Sequence, residues 1–139
     1  MLLSEICTRE ELIELVHAEI VGIRANATPE EKAKLNFATF NPTNNQCIYG
    51  QMTGWWSEAR ANEITRKSLP NFDNDKMGYE SRKHRTFENA IMGTGKYFTP
   101  MEVYFYLNNN GDGGKVAEHE GIIKFIKGES TGLIITIPE

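Results

Sequence analysis

Disulfide and metal chemistry have little to work with in this chain. Cysteine occurs twice, at Cys7 and Cys47, and histidine three times, with no Cys-x-x-Cys and no clustered Cys/His spacing. A structural zinc site is therefore not expected, and the two cysteines read as reduced thiols of a cytoplasmic protein. Long apolar runs are also missing. Met1-Leu2-Leu3-Ser4-Glu5 has no basic region and only three successive apolar residues, so neither a secretory signal nor a membrane span is expected. Bases are outnumbered by acids, 15 to 19, and the net charge of −4 argues against general affinity for nucleic acid. No repeat, linker or low-complexity segment divides the 139 residues, so residues 1–139 are expected to form one globular domain.

What the chain does have is one unusual stretch, Cys47-Ile48-Tyr49-Gly50-Gln51-Met52-Thr53-Gly54-Trp55-Trp56-Ser57, which holds both tryptophans and two glycines. Ile48 and Tyr49 favour a pleated surface, and Gly50 and Gly54 permit turns or close approaches. This predicts a strand over Gln46 to Met52 turning into a helix capped by Ser57 and running from Glu58 to Lys67. On such a strand Tyr49, Gln51 and Thr53 share one polar face. Trp55 or Trp56 is expected to be largely buried as a core anchor.

Three segments carry helix-start signatures. Thr8-Arg9-Glu10-Glu11 is a capping box ahead of Leu12, Leu15, Val16, Glu19 and Ile23, which repeat at helical spacing and predict an apolar stripe on a Thr8 to Ala25 helix. Thr28-Pro29-Glu30-Glu31 predicts a short helix to about Leu35, and Thr99-Pro100-Met101-Glu102 a third start. After that third cap, Val103 to Leu107 is β-branched and aromatic, so helix and strand both remain open there, as they do for Ile122 to Lys127. Thr86 to Met92 is expected to be helical, Asn36 to Phe40 to pair with Gln46 to Met52, and Leu133 to Ile137 to form a last strand. The expected fold class is α+β: a small, mainly antiparallel sheet with helices packed on it.

Complete catalytic or cofactor motifs are absent. Ala90-Ile91-Met92-Gly93-Thr94-Gly95-Lys96-Tyr97 resembles a phosphate loop but has Ala90 at the first glycine position and Tyr97 where the magnesium-binding hydroxyl belongs. Asn108, Asn110, Asp112 and Gly113 fit the start of a calcium loop, yet the twelfth position is His119. Nucleophilic catalysis by Cys47 beside a histidine cannot be assembled from spacing. No cofactor and no metal site are expected.

Charge supplies the remaining signal. From Arg60 to Tyr97 there are eight Lys or Arg against five acids, a basic middle in an acidic protein. Arg60, Arg82, Arg85 and Lys96, next to the polar face of Tyr49, Gln51 and Thr53, are the candidate ligand-binding residues, since guanidinium forks grip phosphate or carboxylate in two-point fashion. The string Cys47 to Gly54, with Tyr97-Phe98-Thr99-Pro100-Met101-Glu102-Val103 and the Ile122 to Glu129 segment, resembles small uncharacterised proteins of bacteriophage and prophage genomes, a resemblance that implies no particular activity. The expected function is a binding or interaction module for an anionic small molecule or an acidic protein surface. A small hydrolase or transferase acting on a phosphate-containing substrate is the alternative, as is a structural homo-oligomer joined through the Thr8 to Ala25 helix.

Overall fold

The computed structural model describes residues 1–55, 58–72, 77–78, 86–93, 98–108 and 115–137. Among the described residues six α-helices follow one another: α1 (Arg9–Asn26), α2 (Pro29–Ala33), α3 (Ile48–Thr53), α4 (Ala59–Ser68), α5 (Pro100–Leu107) and α6 (Ala117–Ile126). A single 3-10 turn, Leu3–Glu5, precedes them. Among the described residues there is no sheet; the β-type pairing found is one isolated antiparallel bridge between Leu2 and Ile91.

All three threonine capping boxes form. The Thr8 hydroxyl accepts from Glu11 N–H at 3.0 Å while the Glu11 carboxylate accepts from Thr8 N–H at 2.9 Å. Thr28 with Glu31 and Thr99 with Glu102 repeat the arrangement. Each box satisfies two backbone donors that a helix start would otherwise leave open.

Packing is centred on α5. Pro100, Met101, Val103, Tyr104, Phe105, Tyr106 and Leu107 are all buried, so this helix is enclosed except along its Glu102 edge. α1 lays Leu12, Val16, Ile20 and Ile23 into the same core and packs against α4, α5 and α6. The burial of α5 decides the Val103 to Leu107 ambiguity. Its cap is in place and its side chains are buried, Tyr104 and Phe105 against His119 of α6, Phe105 against Phe40 and Tyr106 against Phe98, so tertiary context overrides strand propensity. Ile122 to Lys127 likewise falls to helix, with Ile122, Ile123, Phe125 and Ile126 buried on α6.

The expected α+β architecture is thus replaced by a helical one, for reasons visible at each expected strand. Within Gln46 to Met52 the chain turns into α3: the Cys47 thiol accepts from Gly50 N–H at 3.5 Å, and Gly54 closes the helix in the left-handed region at φ 92°. Asn36 to Phe40 is a turn joined to the Gln46 side by one backbone bond, Asn41 N–H to Gln46 O at 3.1 Å. Leu133 to Ile137 forms no strand among the described residues and meets side chains where a strand neighbour was expected. Thr136 N–H donates to Glu118 at 2.9 Å, Asn108 donates to Thr136 O at 2.6 Å, and Arg9 donates to Ile137 O at 2.9 Å. Thr86 to Met92 makes turns, with Ala90 N–H bonded to Thr86 O and Ile91 in the bridge to Leu2. Trp55 is 52% exposed and so is no core anchor. Trp56 and Ser57 lie outside the described residues. No helix among the described residues is long and apolar enough to cross a membrane.

Candidate functional site

The four expected ligand-binding residues that are described do not converge on one surface. On a helix Tyr49 and Thr53 share a face and Gln51 points away from both. Tyr49 is buried and its hydroxyl donates to Glu19 Oε2 at 2.5 Å. Gln51 ties down the 36–39 turn, accepting from Asn36 N–H at 2.8 Å and donating to Asn36 O at 3.1 Å. The Thr53 hydroxyl bonds back to Tyr49 O at 2.8 Å. Arg60 is occupied internally: Nε and Nη2 grip the two Glu31 oxygens at 2.9 Å each, Nη1 meets Glu63 at 2.5 Å, and Nη2 also reaches Asn26 O at 3.1 Å. This clamp joins α2 to α4, raises the Arg60 pKa and holds the Glu31 carboxyl down at about 2, the hydrogen bonds from Arg60 being the leading cause. Arg82, Arg85 and Lys96 lie outside the described residues, as do residues 109–114 of the calcium-like loop.

Two clefts open elsewhere. The first, about 560 Å³, runs between residues 33–38 and the C-terminal half of α6. Leu35, Phe37 and Ile123 line it, with Lys34, Lys124 and Lys127 as its cations and Glu120 and Glu129 as its acids. Lys127 Nζ donates to Leu35 O at 2.9 Å and stands 4.0 Å from Glu129, while Lys124 Nζ stands 4.0 Å from Glu120. Separations of 4.0 Å, between exposed groups at Lys124 and Glu120 and with Lys127 half-buried, are loose pairs that an incoming anion can displace. An adjoining recess adds Lys32. The second cleft, about 430 Å³, lies between α1 and the end of α4, with Ile6, Leu15, Leu69, Phe72 and Met77 as apolar walls and Cys7 and Glu11 among its polar groups.

Neither described thiol is poised for nucleophilic attack. Burial, with the Glu11 charge behind it, pushes Cys7 up to about 11, and burial likewise pushes Cys47 to about 11. The reactive thiolate is thereby disfavoured at both. His119 is fully buried among the Phe40, Tyr104 and Phe105 rings and lines neither cleft. Its Nδ1 accepts from Val116 N–H at 3.3 Å, and Nε2 has no hydrogen-bond partner among the described residues. Burial drives its pKa down to about 4, which keeps the imidazole neutral. His17 is exposed on α1, and His84 lies outside the described residues. Among the described residues no three His, Cys, Asp or Glu side chains come together as a metal-ligating group.

A third assembly is buried. Glu19, on the apolar stripe of α1, is fully enclosed; its Oε2 faces Tyr49 of α3 and its Oε1 accepts from Met101 N–H of α5 at 2.9 Å. Burial first pushes its pKa up to about 7, against the pull of hydrogen bonds from Tyr49, Met101 and Thr99. Glu102 is likewise pushed to about 7, first by burial and then by the Glu19 charge. An acid within an apolar stripe was the sequence signal for this cluster. The lysine cleft left no such signal, because it unites residues some ninety positions apart, such as Lys34 and Lys124.

Compared with protein-family models, with curated proteins and with solved structures, the chain matches none.

Proposed function

We propose that the protein is a binding module that takes a phosphate- or carboxylate-bearing small molecule in the cleft between residues 33–38 and α6. The observation that supports this is the gathering of Lys34, Lys124 and Lys127 around one open cleft in a protein whose net charge is −4. Concave sites with apolar walls and a few convergent charges are where small ligands bind. Here Leu35, Phe37 and Ile123 supply the walls, and the ammonium groups supply the attraction. The two protonated thiols and the enclosed His119 favour a binder over the hydrolase or transferase reading.

Inorganic phosphate and citrate are suitable probes, read by melting temperature and by amide NMR. Either anion should raise the melting temperature, with the effect fading as sodium chloride is added. Lys34→Ala with Lys124→Ala should weaken binding about tenfold. Lys127 is left intact because it also holds the Leu35 carbonyl. An anion effect that survives the double substitution but disappears in Arg82→Ala with Arg85→Ala places the ligand at the basic segment and overturns the cleft. No effect from either anion overturns the anionic reading as a whole.

A further inference from the structure

We propose that Glu19, with the half-buried Glu102 at its edge, is an internal proton-binding site joining α1, α3 and α5, so that the fold gives up stability as its surroundings pass from acid to neutral. The geometry comes first. Glu19 has no exposed surface and Glu102 is half-buried, and among the described residues neither forms an ion pair with a Lys, Arg or His. A buried carboxylate without a cation is costly, and neutralisation by a proton is the ordinary escape.

The surroundings of Glu19 suit both of its protonation states. From α3 it faces the Tyr49 phenol at 2.5 Å, from the first turn of α5 the Met101 N–H at 2.9 Å and the Thr99 hydroxyl, and from the same turn the Glu102 carboxyl. Behind the phenol stands the Thr65 hydroxyl of α4, which itself donates to Ala61 O at 3.1 Å and so has a lone pair free to accept. When Glu19 is ionised, Tyr49 donates to it. When Glu19 is protonated, its O–H donates to the Tyr49 oxygen and the phenol turns to Thr65, leaving no hydroxyl stranded. The Cys47 thiol, pushed upward partly by Glu102, is a further titratable group in this neighbourhood among the described residues. Neither cleft reaches Glu19 or Glu102, so proton binding here is separate from the ligand site proposed above.

The direction of the pH effect follows from the raised pKa values of about 7. An acid whose folded-state pKa is raised stabilises the fold fully below its unfolded value of about 4.5. That contribution is lost as pH rises toward 7. His119 acts in the opposite sense, because its pKa is depressed to about 4 and its contribution is lost as pH falls. The two overlap in pH, so the readout is the difference between wild type and a carboxyl variant, in which His119 cancels.

Urea unfolding of the full chain at pH 5, 6 and 7 provides the test. The ratio of the Glu19→Gln folding constant to the wild-type one should rise about sixfold per pH unit across this range. Parallel pH profiles overturn the proposal. Should Glu19→Gln fail to fold, Glu102→Gln keeps the capping box, for which glutamine is equally suited. Carbon-13 NMR of the glutamate carboxyls then reads the site directly. In wild type, two carboxyls should titrate near neutrality, and in Glu102→Gln the Glu19 resonance should titrate at lower pH. Titration of all carboxyls in the ordinary acid range, or a Glu19 resonance unmoved by Glu102→Gln, overturns the shared site.

Discussion

At Gly50 a methyl group has nowhere to go: an added Cβ would lie 1.9 Å from the Asn45 carbonyl oxygen. Gly50→Ala therefore has to move backbone, and a loss of about 2–4 kcal/mol is expected in urea unfolding. Tyr49 makes a different kind of contribution. Tyr49→Phe keeps the ring in the core and removes the donor to Glu19 Oε2, at an expected cost of about 1–3 kcal/mol. The same substitution should raise the Glu19 pKa further, which carbon-13 NMR would register. Both residues were conspicuous in the sequence, Gly50 as a break and Tyr49 as a hydroxyl on a patterned segment. Their partners were not, since Asn45 and Glu19 meet them only once α3 has formed. Glu19 itself stood among the apolar residues of its stripe, where its spacing spoke for burial and its chemistry spoke against it.

The short elements show which local signals carry over into three dimensions. Threonine and a glutamate three residues on, with proline between them in α2 and α5, form a helix start from contacts within four residues, so the beginnings of α1, α2 and α5 were legible. Thr99→Ala should cost about 1 kcal/mol and fray the start of α5. The body of α5 was not legible, because Val103, Tyr104, Phe105 and Tyr106 suit a strand as well as a helix and only their burial decides between them. Phe105→Ala should accordingly destabilise by about 3–5 kcal/mol, the range for emptying a buried aromatic site. The start of α3 was hidden for another reason. A cysteine thiol is a weak acceptor and gives no capping signature, yet here it fills that place. Leu133 to Ile137 has the alternating burial of a strand, and its hydrogen bonds go to Glu118, Asn108 and Arg9. Pattern alone does not reveal that no neighbouring strand meets it among the described residues.

Over the whole molecule, the basic middle of the sequence does not act as a unit among the described residues. Arg60 closes a clamp between α2 and α4, and Arg60→Ala should cost about 1–3 kcal/mol because it leaves Glu31, only 13% exposed in its side chain, without its cation. The Glu31 contribution is present above its unfolded pKa near 4.5 and disappears as pH falls toward 2, opposite in sign to that of Glu19. A lysine cleft assembled from residues 33–38 and 120–129 lies beyond any spacing rule, since the turn that brings them together is set by the core beneath. The reach of α1 also fixes a schedule. This helix is made early, but its partners α4, α5 and α6 follow it, and α6 ends at Ile126, 100 residues after Asn26. At roughly 5–20 residues per second, a growing chain carries the oily side of α1 for about 5–20 s before the last partner emerges from the ribosome. Through that interval the nascent protein depends on its charged face, and on whatever chaperone meets it, to stay apart from its neighbours.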